Sequence, residues 1–315
     1  MALYLVTGGA GFIGSNIVEH LVSAGEKVRV LDNFSNGREE NLAHLRGKIE
    51  LTRGDIRDRA AVSKVLEGAD FVLHQAALGS VPRSIADPLE TNSANVDGTL
   101  LMLHESARVG VKRFVYASSS SVYGSATGLP KREDMACQPI SPYGVSKYVG
   151  ELYCRIFHQV YGVETVILRY FNVFGRRQDP MSQYAAVIPR FITALCEGQS
   201  PVIYGDGTQT RDFTFVDNVV QANLKACTPG FASFGDPLNI ACGGGHTLLE
   251  LYDRISCLLG REIPPSFQAM RSGEVMHSFA DISKARSLLG YEPSVDFKTG
   301  LEYTVAWYRQ AAPLS

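Results

Sequence analysis

The chain opens on a pattern that leaves few ways to fold. Leu3 to Val6 is a short apolar run, the length of a strand buried on both faces. Gly8, Gly9, Gly11 and Gly14 follow at once, and Phe12, Ile13, Ile17, Val18, Leu21 and Val22 then recur at helical spacing. A second apolar run, Val28 to Leu31, stops at Asp32. Strand, glycine turn, helix, strand and acid, in that order, make one βαβ unit of a doubly wound parallel sheet, an α/β fold. Such a turn brings backbone N–H groups against a pyrophosphate, where a Cβ would collide. The helix N-terminus adds unsatisfied N–H groups and the positive end of its dipole. Gly14 lets the helix lie close to the strand. Asp32 can accept hydrogen bonds from both hydroxyls of an adenosine ribose and would repel a 2′-phosphate. The reading is NAD, held by Gly8, Gly11, Phe12, Ile13, Gly14 and Asp32. The competing reading is a glycine turn in an α/β domain that binds no cofactor.

With 315 residues there is room for two lobes or one large α/β domain. A net charge of −2 gives no general pull toward nucleic acid or an anionic membrane. Cys137, Cys154, Cys196, Cys227, Cys242 and Cys257 are scattered, with no CxxC pair. Neither a metal site nor a disulfide framework is suggested, and reduced thiols in the cytoplasm are expected. Residues 2–6 read as the first strand and not as part of a signal peptide, and no apolar stretch is long enough to cross a bilayer.

In chain order, Asn33, Ser35, Asn36 and Gly37 follow Asp32 and are expected along the adenosine end of the cofactor. Ile49 to Thr52 is a third strand, with Asp55 and Ile56 at its end. Asp55 either meets the adenine amino group or caps a helix from about Arg57 to Leu66. Phe71 to His74 is a fourth strand leading into Gln75, Ala76, Ala77, Gly79 and Ser80, mostly small residues that leave room for a ligand at the carboxyl edge of the sheet. A long helix is expected from about Pro88 to Val109, with Asn95 near the cleft. Phe114 to Ala117 is a fifth strand and ends in four serines, Ser118 to Ser121. Ser141 can cap the next helix and Pro142 suits its first position. Tyr143 and Lys147 are four apart and share a face of that helix. Alone, Tyr-x-x-x-Lys is common on amphipathic helices; the serine run and the glycine turn give it meaning. Thr165 to Arg169 then delivers Phe171 and Asn172 to the same edge.

Beyond residue 173 the alternation becomes irregular. Helices are expected over 183–197 and 247–259, from Ser283, and over 297–309; Leu238 to Ala241 is a strand that returns to the main sheet. The expected division is an NAD-binding domain over 1–171 and a mainly substrate-binding lobe over 172–315, with about 210–245 returning to the first.

Ser119, Tyr143 and Lys147 beside a nicotinamide suit hydride transfer at an alcohol carbon. A free tyrosine has a pKa of roughly 10 and is a poor base at neutral pH. The Lys147 ammonium and the cationic ring are both expected to favour tyrosinate. Tyr143 is then the base, Lys147 its modulator and a ribose ligand, and Ser119 the partner of the substrate oxygen.

TGGAGFIG, the acid at 32, YASSSSVYG, YGVSK and LRYFNVFG together resemble the extended short-chain dehydrogenase/reductase family, with its Rossmann domain. Within it the chain is similar over nearly its whole length to nucleotide-sugar 4-epimerases. HQAALGSVPRS, RYFNVFGRRQDP, YAAVIP, GDGTQTRDF and RSGEVMHS look most like the subgroup acting on N-acetylated UDP-hexosamines. The resemblance implies a resident NAD and a UDP-sugar whose C4 is oxidised, turned over and reduced on its other face. It implies that Arg211 and Arg271 bind the diphosphate, that Asn172 binds substrate and that Phe171 lies against the nicotinamide. Gly79, Ser80, Ser120, Ser121 and Gln178 match hexose-lining positions, and Ala186 and Val187 match the nucleotide pocket. Ser278 falls where 4-epimerases restricted to plain hexoses carry a tyrosine, so it opens space for an acetamido group. Glu274 is carried with these as a substrate-side residue and as an ion-pair alternative for the arginines. Ala94 replaces a polar residue near the nicotinamide, with Asn95 as the candidate substitute. The resemblance also implies a homodimer, pairing 88–109 and 143–161 as a four-helix bundle, and no nucleic-acid or membrane partner.

UDP-GlcNAc/UDP-GalNAc interconversion is the favoured activity. UDP-uronate or UDP-glucose 4-epimerisation is the nearest alternative, and Arg83 or the serines are candidates for meeting a uronate carboxylate. A dehydratase or decarboxylase on the same scaffold is a further alternative. Dehydratases carry Asp-Glu where Ser120 and Ser121 stand. A catalytically silent NAD sensor would not need the intact Ser119, Tyr143 and Lys147.

Overall fold

The computed structural model of the chain describes residues 1–180, 186–228, 230–270 and 275–311. Its centre is a seven-stranded sheet made of β1 (Leu3–Thr7), β2 (Lys27–Asp32), β3 (Glu50–Arg53), β4 (Phe71–His74), β5 (Arg113–Ser119), β6 (Glu164–Tyr170) and β7 (Pro237–Ile240). The spatial order is β3-β2-β1-β4-β5-β6-β7, and every neighbouring pair is parallel. The chain therefore winds one way from β1 to β3 and the other way from β4 onward. The crevice between β1 and β4, at the strands' carboxyl ends, is the switch point where doubly wound sheets take ligands.

Strand alternation builds two apolar layers. Tyr4, Val6, Val30, Leu73, Val115 and Leu168 pack with Ile17, Val18 and Leu21 of α1 (Phe12–Ser23) and Val219 and Val220 of α8 (Val216–Ala226). Leu5, Leu31, Val72, Phe114 and Ile167 pack instead with α2 (Arg59–Leu66), α5 (Gly98–Val109) and α6 (Pro142–Tyr161), through Val62, Val65, Met102, Leu103, Cys154 and Phe157. A third, phenylalanine-rich cluster holds the later part of the chain: Phe174, Phe191, Phe213, Phe215 and Phe297 gather α7 (Val187–Cys196), α9 (Leu248–Leu259) and α11 (Phe297–Ala311). The short α10 (Ser283–Leu289) follows the expected Ser283 start. β7 returns to the main sheet beside β6, as Leu238 to Ala241 led one to expect.

Several boundaries moved for local reasons. α2 begins at Arg59 because Asp58, and not Asp55, caps it, accepting the N–H of Ala60 and Ala61. The helix expected over 88–109 is α4 (Pro88–Asn92), one π turn (Ser93–Asp97) and α5. Asn95 anchors that turn: its amide oxygen accepts the Leu78 N–H at 2.7 Å, and its NH₂ donates to the Leu78 carbonyl and to Ser146 Oγ. The helix expected over 183–197 starts at Val187, its first residues lying outside the described ones. Among the described residues no helix is long and apolar enough to cross a membrane.

α6 begins as read: Ser141 Oγ accepts the Gly144 N–H at 3.1 Å, with Pro142 in the first turn. It lies tight on β5 at Gly150, where a Cβ would stand 2.2 Å from the Tyr116 hydroxyl oxygen.

Candidate active site

A cleft of about 1060 Å³ runs along the carboxyl edge of the sheet. Its floor at one end is the glycine turn. Gly8 has φ +66 and would put a Cβ 2.8 Å from the Ala76 backbone; a Cβ on Gly14 would stand 2.2 Å from the Gly8 carbonyl oxygen. Both positions require glycine, and the space they leave suits a phosphate approaching backbone N–H groups. Asp32 closes β2. Its carboxylate accepts the N–H of Ala10 at 2.9 Å and of Phe34 at 2.8 Å, and burial holds its pKa above the usual range against those bonds. A Cβ on Gly37 would stand 2.9 Å from both Asp32 oxygens, so glycine keeps the carboxylate open to a ribose. These features fit a dinucleotide.

Asp55 is engaged more than the sequence implied. Arg57 grips it through Nε and Nη2 at 2.9 and 2.8 Å, Asn33 donates to it at 2.8 Å, and its pKa falls to about 2, chiefly through the Arg57 bonds. Asn36 accepts from Arg83 at 2.9 Å, which places Arg83 at this end of the cleft. Arg38 reaches Asp179 at 2.8 Å and ties the loop after β2 to the later part of the chain.

Midway along the cleft lie the serine run and α6. Ser118 and Ser119 belong to β5, and Ser120 and Ser121 to the 3₁₀ turn after it. Ser119 Oγ bonds Ser121 Oγ at 3.0 Å and accepts the Ser121 N–H at 3.1 Å. Tyr143 and Lys147 face it from α6 and line the same cleft. Lys147 is buried, donates to the Ala117 carbonyl at 2.8 Å and lies 5.1 Å from the centroid of the Tyr116 ring. Burial pushes its pKa down to about 8, with Cys154 and Glu151 acting the other way. The expected effect of Lys147 on Tyr143 is not what the chain alone produces. Burial raises the Tyr143 pKa, and the Ser119 hydroxyl beside it is the opposing influence. The Lys147 ammonium is committed to the Ala117 carbonyl. Behind this group His74 is neutral, its pKa taken to about 3 by burial, and its ring bridges Thr7 and Thr99.

The rest of the predicted set divides cleanly. Gly8, Gly11, Phe12, Ile13, Gly14, Asp32, Asn33, Ser35, Asn36, Gly37, Asp55, Ile56, Gln75, Ala76 and Ala77 line the cleft, as do Gly79, Ser80, Ser119, Ser120, Ser121, Tyr143, Lys147, Asn172, Gln178, Ala186, Val187 and Arg211. Ser80 Oγ is engaged as the cap of α3 (Val81–Ala86), accepting the Arg83 N–H. Phe171 is fully buried, packs toward Tyr123 and is not among the residues lining the cleft. Asn95 lies beside the cleft, next to the lining residues Leu78 and Ala94, with its amide committed to Leu78 and Ser146. Ser278 is buried in a short strand opposite Arg211 and is not a lining residue. Arg271 and Glu274 lie outside the described residues. Arg211 does not pair with Asp212; it donates to the Thr210 and Met276 carbonyls. Sequence reasoning missed Arg38, Arg83 (as a cofactor-end residue), Arg190, Tyr204 and Gln209, all in the cleft wall. Tyr204 immediately precedes the GDGTQTRDF segment and Gln209 lies within it, the one signal that pointed toward them.

Residues 4–241 match the model of the NAD dependent epimerase/dehydratase family. The chain is 40% identical to a putative UDP-glucose 4-epimerase of Methanocaldococcus jannaschii, over 98% of each. Its fold superposes with a TM-score of 0.94 on the UDP-N-acetylglucosamine 4-epimerase of Methanobrevibacter ruminantium, solved with UDP-N-acetylmuramic acid, at 40% identity and 99% coverage of both chains. The TM-score is again 0.94 with the UDP-glucose 4-epimerase of Thermotoga maritima, solved with UDP-glucose, at 36% identity over 98% of this chain and 99% of that one.

Proposed function

The chain belongs to the NAD dependent epimerase/dehydratase family and is a nucleotide-sugar 4-epimerase, and we propose that its substrate is a UDP-N-acetylhexosamine, with UDP-GlcNAc and UDP-GalNAc the interconverted pair. The observation that carries the sugar assignment is the set of small side chains in the cleft that holds Tyr143. Gly79, Ser120 and Ser121 line the same cleft as Tyr143, and side chains this small suit a bulky C2 substituent. The likeness to the Methanobrevibacter enzyme supports it. The cleft volume, beyond the ~300–1,000 Å³ usual for one small ligand, suits a cofactor and a substrate together.

Bound at the glycine turn and Asp32, NAD supplies the hydride acceptor and then the donor at C4. The chain's residues do the rest. Tyr143 takes the proton of the C4 hydroxyl and returns it at the end of the cycle. Ser119 hydrogen-bonds the same oxygen. Lys147, an ammonium at neutral pH, holds the nicotinamide ribose and favours tyrosinate once the cofactor is in place. Arg211 and Asn172 hold the UDP part, so the sugar can turn while the nucleotide stays anchored. Arg271 is assigned the same duty from the resemblance alone.

A second reading, UDP-glucose, is favoured by the names of the Methanocaldococcus and Thermotoga relatives. Purified protein is incubated with UDP-GlcNAc, UDP-glucose and UDP-glucuronate, and the sugar products are read by proton NMR. Turnover is expected with UDP-GlcNAc first; a clear preference for UDP-glucose or the uronate refutes the sugar assignment.

The helices carry a further proposal, a homodimer. Val145, Leu152, Ile156 and Val160 form an exposed stripe on α6, and Leu89 on α4 is 82% exposed. Such a stripe on two neighbouring helices fits pairing with a second copy as a four-helix bundle.

A further inference from the structure

The residue after Arg211 joins four segments of the substrate side. Asp212 is fully buried. Its Oδ1 accepts the Cys242 N–H at 2.9 Å, and its Oδ2 accepts the N–H of Gly243 at 3.0 Å and of Ala280 at 3.2 Å. Its own N–H donates to the Ser278 carbonyl at 2.9 Å, and its carbonyl accepts from Asn172 Nδ2 at 3.2 Å. The turn after β6, the Arg211 strand, the loop after β7 and the 277–280 segment therefore meet at one residue, the loop after β7 and Ala280 through its carboxylate and the turn after β6 through its main-chain carbonyl. Arg211 itself sits in register between His246 and Ser278 in the three-stranded sheet that this side chain clamps.

An ionised carboxylate is an expensive group to bury without a cation. Among the described residues no arginine or lysine pairs with it. The titratable groups that face it are Cys242, Tyr291 and His246. Burial pushes its carboxyl up to about 6, against the three N–H bonds and a weaker pull from His246. An apolar side chain would fill the space at lower cost. What only a carboxylate supplies is two acceptor oxygens for three converging N–H donors. An asparagine keeps one acceptor and turns an NH₂ group against the remaining donors.

We propose that Asp212 is a positioning residue for the substrate diphosphate, fixing the Arg211 guanidinium and the Asn172 amide at one spacing along the cleft. It rests on the reading of Arg211 as a diphosphate ligand. Below the carboxyl's pKa one N–H loses its acceptor, and the Arg211 strand loosens from the loop after β7.

The test measures UDP-glucose affinity by calorimetry on NAD-loaded protein carrying Tyr143→Phe, so that no turnover occurs. UDP-glucose is the probe because its phosphodiesters do not titrate near neutrality. Asp212→Asn and Arg211→Ala are each added to that background, and KM and kcat are compared with Tyr143 intact. Asp212→Asn is expected to weaken UDP-glucose at least ten-fold and to raise KM in step. It should change kcat less than three-fold and leave NAD content unaltered. Affinity of the protein with Asp212 intact is expected to fall as pH drops through about 6, and to do so equally in a His246→Gln variant. Arg211→Ala weakening the probe while Asp212→Asn leaves it within two-fold overturns the positioning role. Arg211→Ala without effect overturns the diphosphate reading, and this inference with it. Should Asp212→Asn be insoluble, the pH series decides: an affinity flat from pH 8 to pH 5 overturns the proposal.

Discussion

Replacing Lys147 by methionine should make the protein more stable and inactive. Lys147 is only 4% exposed, and its pKa falls from the ordinary 10.5 to about 8 through burial. At ~1.36 kcal/mol per pKa unit, the folded ammonium is on the order of 3 kcal/mol less favourable than the unfolded one. Methionine has a similar length and no charge. The hydrogen bond to the Ala117 carbonyl disappears with the ammonium, and a net bond of this kind contributes about 1 kcal/mol. The expected gain at pH 7 is therefore about 2 kcal/mol in protein freed of NAD. The direction of its pH dependence follows from proton counts. Below pH 8 both states hold the proton and the penalty is complete. Between about 8 and 10.5 the unfolded chain still binds a proton that the folded chain has released, so wild-type stability rises with pH and the gap to the variant closes. Urea unfolding of both proteins at pH 7, 8, 9 and 10 measures the gap, and NMR of the sugar products measures activity. A methionine variant less stable than the wild type at pH 7, or a gap that does not shrink above pH 8, refutes the reasoning.

Tyr143→Phe should lower kcat by about 10²–10⁴ while folding and NAD content are kept, as loss of a general base requires; a variant of near-normal rate removes Tyr143 from that role. Gly150→Ala sets two effects against each other. Alanine improves helix propensity by about 1 kcal/mol, but its methyl would stand 2.2 Å from the hydroxyl of the buried Tyr116, and overpacking of this kind costs about 1–3 kcal/mol. We expect a Tm lower by a few degrees and a reduced kcat as α6 lifts from β5; an equal or higher Tm contradicts the packing argument. Ile156→Asp, in the middle of the exposed α6 stripe, should convert a dimer to monomers in light scattering after gel filtration; a wild type that is already monomeric disproves the bundle.

The parts that were legible in the sequence are those encoded over short stretches. The glycine turn, its strand and helix, and the acid at 32 are contiguous, and local sterics leave them one arrangement. Ser119, Tyr143 and Lys147 come from β5 and the helix α6 packed against it, so strand ends and helix spacing bring them together. What local rules leave open is which way a side chain turns where an element ends. Phe171 follows β6 immediately, and its ring is directed into the core; neither composition nor period reveals that at a strand end. Asn95 does lie beside the cleft, but the π turn that presents Ala94 there and turns the Asn95 amide to Leu78 and Ser146 has no signal in residue type. Asp55 and Asp58 are equally good caps by residue type, and only the backbone path chooses Asp58. Arg38 meeting Asp179 joins residues far apart in the chain, and no local rule predicts it. Asp212 reads in sequence as the neighbour of an interesting arginine; its bonds to Cys242, Gly243 and Ala280 exist only once three loops have converged.

The place of β7 has a consequence for how the protein is made. β6 reads ETVILRY, and among the described residues its outer edge pairs with residues 237–240. While the chain is being synthesised, the sheet from β1 to β6 can assemble first and waits for Pro237 to emerge with that edge bare. An uncapped, apolar strand edge is a template for pairing with other chains. A ribosome stalled between Tyr170 and Pro237 would thus release a nearly complete nucleotide-binding half with that edge open. Solubility of truncated chains should improve sharply once the fragment extends past Ile240.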